Sequence, residues 1–232
     1  MIYAMSDLHG CYDEYIAMLE KIRFSKDDTL YVLGDVVDRG PEPIRIIMDI
    51  AMRDNVIMLK GNHEAMAQYL LEKLNVEITE QNAETLIDHD LMMAFESWME
   101  NGGESTLREF RRLSADEKMD ILDFLEDTQL YDVLDVGEKT FILVHAGLGN
   151  FAEKKKLKEY TAEELLNDRP DYGRRYFSDP QVYIVSGHTP TLAVSGKAEI
   201  LQSSNNILID CGAAFGGKLA CLCLDTMQEF YI

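Results

Sequence analysis

The stretch that decides the fold is Leu33-Gly34-Asp35-Val36-Val37-Asp38-Arg39-Gly40. It sets two carboxylates and a guanidinium in one short turn bounded by glycines. The apolar run before it, Leu30-Tyr31-Val32-Leu33, predicts a buried strand. A glycine at each end lets the backbone turn sharply and approach a ligand closely. Acid, acid and base at a strand's end are poor material for a core. Taken alone, though, the octapeptide also reads as a polar loop with a surface ion pair, so the surrounding chain has to decide.

The same arrangement occurs on both sides of it. Upstream, Ile2–Met5 predicts a strand ending in Ser6-Asp7-Leu8-His9-Gly10, and the spacing of Tyr12, Tyr15, Ile16, Leu19 and Ile22 predicts a helix over 12–22. Thr29–Leu33 is the second strand. Pro41 suits the first turn of a helix whose inner face is Ile44, Ile47, Met48 and Ala51. Val56–Leu59 is the third strand and runs into Lys60-Gly61-Asn62-His63-Glu64. A βαβαβ start with a polar motif after each strand points to one crevice, because open α/β sheets bind ligands beyond the carboxyl ends of their strands.

Further on, residues 65–127 read as helical, with candidate helices at Ala65–Leu74, Glu84–Asn101, Glu104–Leu113 and Ala115–Leu125. Ser114 with Glu117 forms a capping box before the last of them. Trp98, the only tryptophan, is the expected core anchor of this helical insertion or cap, and Asn101-Gly102-Gly103 breaks it. Strands return at Tyr131–Val136 and Thr140–Val144 as a hairpin, followed by His145-Ala146-Gly147-Leu148. Residues 151–177 read as loop with a short helix. Val182–Val185 ends in Ser186-Gly187-His188-Thr189-Pro190, and short strands near Glu199–Gln202, Asn206–Ile209, Leu219–Leu224 and Glu229–Tyr231 complete the chain. The expectation is a single α/β domain over 1–232, two layers of strands with flanking helices and a helical insertion at about 65–127.

Composition narrows the function. The chain has 232 residues, 47% hydrophobic, enough for a sizeable core. Its net charge of −20 repels nucleic acid and anionic membranes. A small phosphorylated substrate stays compatible, since bound cations and a few arginines reverse the field locally. With no basic leader and no long apolar run, the expected location is the cytoplasm. Cys11, Cys211, Cys221 and Cys223 form no CxxC pair and read as small apolar residues. None has an arginine six positions later, so a cysteine phosphatase mechanism fails.

Four of the five histidines, His9, His63, His145 and His188, follow predicted strands beside a glycine or within two residues of one, and only His89 does not. Core packing does not produce that placement. Imidazoles with carboxylates and an amide suit borderline divalent metals such as Mn, Fe, Zn or Ni. The candidate donors come from too many loops for one catalytic ion that must keep open positions. They suit two ions about 3.5–4 Å apart sharing a carboxylate, and Asp35, on the middle strand, fits the shared position.

Asp7-Leu8-His9, Gly34-Asp35-Val36-Val37-Asp38-Arg39-Gly40 and Gly61-Asn62-His63-Glu64 resemble the three-part motif of the phosphoprotein phosphatase family, within the calcineurin-like metallophosphoesterases. His145-Ala146-Gly147-Leu148 and Gly187-His188-Thr189-Pro190 match its two later histidine motifs in order, and Asn101-Gly102-Gly103 after Trp98 is similar to a motif of bacterial members. The resemblance implies a calcineurin-like β-sandwich and these roles: Asp7, His9 and Asp35 on a first metal; Asp35, Asn62, His145 and His188 on a second; His63 as general acid, oriented by Asp38; Arg39 on the phosphoryl oxygens, with Asn62 beside it. A second phosphate-binding arginine usually sits in a Leu-Leu-Trp-x-Arg pattern. Here Leu165-Leu166-Asn167-Asp168-Arg169 carries asparagine for tryptophan, so Arg169 is the choice and Arg174 and Arg175 stay open.

The expected activity is hydrolysis of phosphate monoesters by water activated at two divalent ions, manganese first. The expected partner is a phosphorylated protein or peptide, or a small phosphoester, which makes the chain a serine/threonine protein phosphatase. The alternative sharing the same motifs is a symmetric dinucleoside tetraphosphate hydrolase. The non-enzyme alternative is a silent phosphate-binding scaffold.

Overall fold

A computed structural model describes residues 1–76 and 88–232. Strands β1 (Ile2–Met5), β2 (Thr29–Val32) and β3 (Val56–Met58) alternate with helices α1 (Tyr12–Ile22), α2 (Pro43–Ala51) and α3 (Asn62–Leu74). Helices α4 (His89–Glu100), α5 (Glu104–Phe110) and α6 (Ala115–Asp127) follow, then β4 (Tyr131–Val136) and β5 (Lys139–Val144). After α7 (Ala162–Leu166) come β6 (Val182–Ser186), α8 (Thr191–Ser195), β7 (Leu201–Ser203), β8 (Asn206–Leu208), β9 (Ala220–Cys223) and β10 (Glu229–Tyr231).

The strands form two five-stranded sheets, ordered β10-β9-β1-β2-β3 and β4-β5-β6-β8-β7. β1, β2 and β3 pair in parallel, as do β5, β6 and β8, while β9, β10, β4 and β7 pair antiparallel. The alternation along each strand explains the layering. In β1, Tyr3 and Met5 face the helices while Ala4 faces the other sheet; in β5, Phe141 and Leu143 face the first sheet while Val144 faces outward. Both faces are covered, so these strands read as continuous apolar runs.

The largest core lies between the first sheet and the helices, where Ile46, Ile47, Leu70, Trp98 and Leu125 are buried. The described helices between 89 and 127 belong to this same core. A second core fills the space between the sheets, and a third packs Leu148, Tyr160, Leu165 and Tyr176 on the outer face of the second sheet.

Several boundaries differ from expectation for local reasons. Helix α2 starts at Pro43 rather than near Pro41, because the Gly40 and Glu42 amides are spent on His9 and Gly10 carbonyls. A proline still occupies its first turn, and its inner face is Ile44, Ile46, Ile47 and Ile50, with Ala51 exposed. Helix α3 starts at Asn62, so Asn62 and His63 are helical. Helix α5 ends at Phe110, β6 reaches Ser186 and β7 begins at Leu201. The Ser114–Glu117 capping box forms as expected. The first residues of the helix expected at Glu84–Asn101 lie outside the described residues.

Candidate active site

The polar turns after β1, β2, β3, β5 and β6 meet at one end of the sandwich. Their backbones are unusual. Asp7, His9, Asp35, Asp38, Arg39 and His188 all have positive φ, between 41° and 70°. Each such non-glycine residue costs on the order of 1–3 kcal/mol and persists only where its surroundings over-determine it. Here the amides are spent across the site: Asp7 N–H donates to Gly34 O at 3.0 Å, His9 N–H to Asp35 O at 2.9 Å, and Arg39 N–H to Gly102 O at 2.9 Å.

Asp35 is the hub. Its Oδ2 lies 3.5 Å from His9 Nε2 and 3.9 Å from His63 Nε2, and its Oδ1 lies 3.3 Å from His145 Nε2. Two candidate metal clusters result, His9–Asp35–His63 and Asp35–His145–His188, with Asp35 in both. Burial pushes Asp35 up, but the imidazoles of His145, His63 and His9 outweigh it and hold the carboxyl well below the usual carboxylate range.

The ring orientations suit metal ligation. His9 Nδ1 lies 2.8 Å from Val37 O and His145 Nδ1 lies 2.7 Å from Leu33 O. A carbonyl accepts only, so each Nδ1 carries the proton and each Nε2 presents its lone pair inward. Burial lowers His9 and His188 to about 3, keeping both neutral. Asn62 Oδ1 stands 2.9 Å from His145 Nε2 and 3.0 Å from His188 Nδ1, which brings it to the second cluster. A carboxylate shared by imidazoles and an amide oxygen fits a pair of divalent cations. Asp7 is buried beside this group but stands outside both compact clusters; its Oδ2 accepts from the His188 N–H at 2.9 Å and from the Ser6 hydroxyl. Burial and the facing Asp210 and Asp35 raise it well above the usual range.

The His63–Asp38 pair is equally well defined. His63 Nδ1 donates to Asp38 Oδ2 at 2.7 Å. Burial works against a charged His63, but the Asp38 hydrogen bond and the Asp35 charge outweigh it and raise its pKa. Arg39 reaches the open side of both first-cluster imidazoles, with one amino group 3.0 Å from His63 Nε2 and the other on His9 Nε2. Arg169 donates to Thr189 Oγ1 at 3.0 Å, next to His188. Arg174 instead lies over the Phe151 and Tyr176 rings, with its guanidinium carbon 5.6 and 5.2 Å from their centroids. Arg175 is exposed.

Sequence reasoning missed four supports. Trp98 is buried as expected, but its Nε1 donates to Asp38 Oδ1 and Oδ2 at 3.0 and 2.9 Å. Thr106 Oγ1 donates to Asp38 Oδ1 at 2.6 Å and accepts the Asp38 N–H at 2.8 Å. Glu64, fully buried, accepts the backbone N–H groups of Asp35, Val36, Val37 and Gly61 at 2.7, 2.8, 3.1 and 2.8 Å, locking the Asp35 turn. Asp210, also buried, is raised to about 7 chiefly by that burial and faces Asp7. Two of them carried a sequence signal: Glu64 closes the Gly61-Asn62-His63-Glu64 motif, and Asp210 follows a strand two residues before Gly212. Asn101-Gly102-Gly103 also gains a reason. A Cβ on Gly102 would stand 2.9 Å from Arg39 N, so no side chain fits where the helical layer touches this turn.

Comparison with known proteins identifies the family. Residues 1–210 match the calcineurin-like phosphoesterase family. An asymmetrical bis(5'-nucleosyl)-tetraphosphatase PrpE from Bacillus velezensis is 27% identical over 93% of this chain and 85% of its own length. The symmetrical bis(5'-nucleosyl)-tetraphosphatase of Nitrosospira multiformis is 30% identical, over 63% of this chain and 43% of its own. Among solved structures, a candidate diadenosine tetraphosphatase superposes with a TM-score of 0.63 at 17% identity, covering 100% of this chain and 92% of the other. A protein serine/threonine phosphatase from Saccharomyces cerevisiae gives 0.54 at 14% identity, covering 95% and 71%. At such identities the superpositions speak for the fold.

Proposed function

The chain belongs to the calcineurin-like phosphoesterase family, and from that premise we propose that it hydrolyses dinucleoside tetraphosphates asymmetrically, as a metal-dependent enzyme. The observation that carries the chemistry is the Asp35 carboxylate shared between two imidazole clusters. What supports the substrate is the group of PrpE relatives, which match this chain over nearly its whole length. The protein serine/threonine phosphatase reading has only a fold-level likeness behind it. The symmetrical relatives match a smaller part of the chain, so asymmetrical cleavage, giving a nucleoside monophosphate and a triphosphate, is preferred.

Asp7, His9 and Asp35 would hold one cation, and Asp35, Asn62, His145 and His188 the other. When bound, the cations supply an activated water and electrostatic stabilisation of the phosphoryl oxygens. Manganese is the first ion to test, with iron, zinc and nickel behind it. Arg39, with Arg169 across the site, receives the phosphoryl oxygens and offsets the net charge of −20 locally. His63 donates its Nε2 proton to the leaving oxygen. Asp38 holds the imidazole by its Nδ1–H and supports its charged form. Trp98 and Thr106 hold Asp38 in turn.

The test compares diadenosine tetraphosphate, a phosphopeptide and an aryl phosphate with manganese added, with products resolved by chromatography. AMP and ATP in equal amounts, formed faster than phosphate is released from the peptide, is the expected result. Two ADP molecules would overturn the asymmetry, and faster release from the peptide would overturn the substrate class.

A further inference from the structure

One large aromatic side chain stands at the site without a packing role. Phe215 is 58% exposed, and it is absent from the cores that bury its neighbours. A lone exposed aromatic is ordinary, but this one has a specific position. The Arg39 guanidinium carbon lies 4.8 Å from the ring centroid, while the amino groups of the same guanidinium reach His9 and His63. The ring therefore stands one guanidinium away from the acid that would protonate the leaving group.

The backbone holds the ring there. Phe215 closes a short turn, Ala213–Phe215, between Gly212 at φ 75° and Gly216 at φ 77°. Those conformations suit glycine. Phe215 N–H and Gly217 N–H both donate to Gly212 O at 2.9 Å, and Gly212 N–H donates to Asp210 Oδ1 at 2.8 Å. The turn is thus tied to the buried carboxylate beside Asp7. One ring face rests against Arg39, and the ring's exposure leaves apolar surface open to solvent at the mouth of the site.

We propose that Phe215 is a nucleobase-stacking platform, which makes this mouth a subsite for the nucleoside attached to the phosphate held by Arg39. The inference rests on the phosphoester reading above and adds to it how the nucleoside is held. Arg39 neutralises the phosphate while the ring it touches receives the base, and the ribose spans the gap. Stacking takes any base, since every base offers a π face, and its loss weakens binding by roughly 5- to 150-fold per base. The subsite therefore selects nucleotides over base-free phosphates, with tolerance for which base is present.

The test reads competitive inhibition of aryl phosphate hydrolysis by AMP and by ribose 5-phosphate, which differ only in the base. In the unaltered holoenzyme AMP is expected to inhibit about tenfold more tightly. Phe215→Ala should bring the two inhibition constants together, and Phe215→Trp should keep them apart. Equal constants in the unaltered enzyme would overturn the proposal. So would a ratio untouched by Phe215→Ala, or one lost equally in Phe215→Trp. The readout does not require that a dinucleoside tetraphosphate be turned over. A failed stacking platform and a failed substrate assignment therefore give different results.

Discussion

Replacing Thr106 by valine should show how strongly the helical layer governs the acid. Thr106 is fully buried, and valine has nearly its shape, so the change removes one hydroxyl and little packing. That hydroxyl makes two bonds, donating to the Asp38 carboxylate at 2.6 Å and accepting the Asp38 N–H at 2.8 Å. The first is a bond to a charged acceptor, worth about 1.5–3 kcal/mol, and losing the second orphans a buried N–H at about 1–3 kcal/mol. Asp38 keeps the Trp98 and His63 donors, so the lower part of the combined range applies, about 3 kcal/mol. It also sits at φ 70°, a conformation that Thr106 helps to clamp. With a urea m-value of about 3 kcal/mol/M for a chain of this size, the midpoint should fall by about 1 M with m unchanged. Turnover should drop about tenfold with KM unaltered, because Thr106 acts through Asp38 on His63 and touches no substrate. Thr106→Ser should recover most of both. A midpoint shift below about 0.3 M, or a serine variant as damaged as the valine one, would refute the reasoning.

Asp35→Ala should release metal from both positions, read as metal per protein by elemental analysis; retention of a full complement would exclude the shared-ligand arrangement. His63→Asn should keep the metal yet lose turnover of an alkyl phosphate monoester by about 10²–10⁴-fold, and far less for 4-nitrophenyl phosphate, whose leaving group departs without a proton. For the metal-free protein, His9 and His188 fold with pKa values near 3 against 6.5 in the unfolded chain. At these two residues the unfolded state then binds more protons between those values, so their contribution to stability falls as pH drops through that window, while the raised Asp7, Asp210 and His63 act in the opposite sense. The ceiling is about 1.4 kcal/mol per unit for each histidine, less for the partly exposed His188. Imidazole titration of the metal-free protein, followed by NMR between pH 7.5 and 4.5, measures it, and a ring of either histidine that protonates near its unfolded value would contradict the buried neutral imidazoles.

The strand-end motifs were legible in the sequence because their physics is local. An apolar strand, a glycine and a cluster of donors identify themselves within eight residues, and parallel strands bring their ends to one edge. Asp35, His9, His63, His145 and His188 were found in this way, and the two sheets followed from the apolar runs that carry them. Trp98 shows where this stops. As the only tryptophan it was the expected core anchor, and it is one, yet nothing in α4 says that its indole N–H faces Asp38, sixty positions earlier. Thr106 and Glu64 are alike in this respect, since a buried hydroxyl or carboxylate acquires its meaning from the backbone amides it meets. The sequence by itself determined the chemistry of the site, because residue type and strand-end position set which donors are available. Only the tertiary structure decided which donors share Asp35, what steadies Asp38 and where Phe215 stands, because those depend on how the helical layer and the second sheet close over the first.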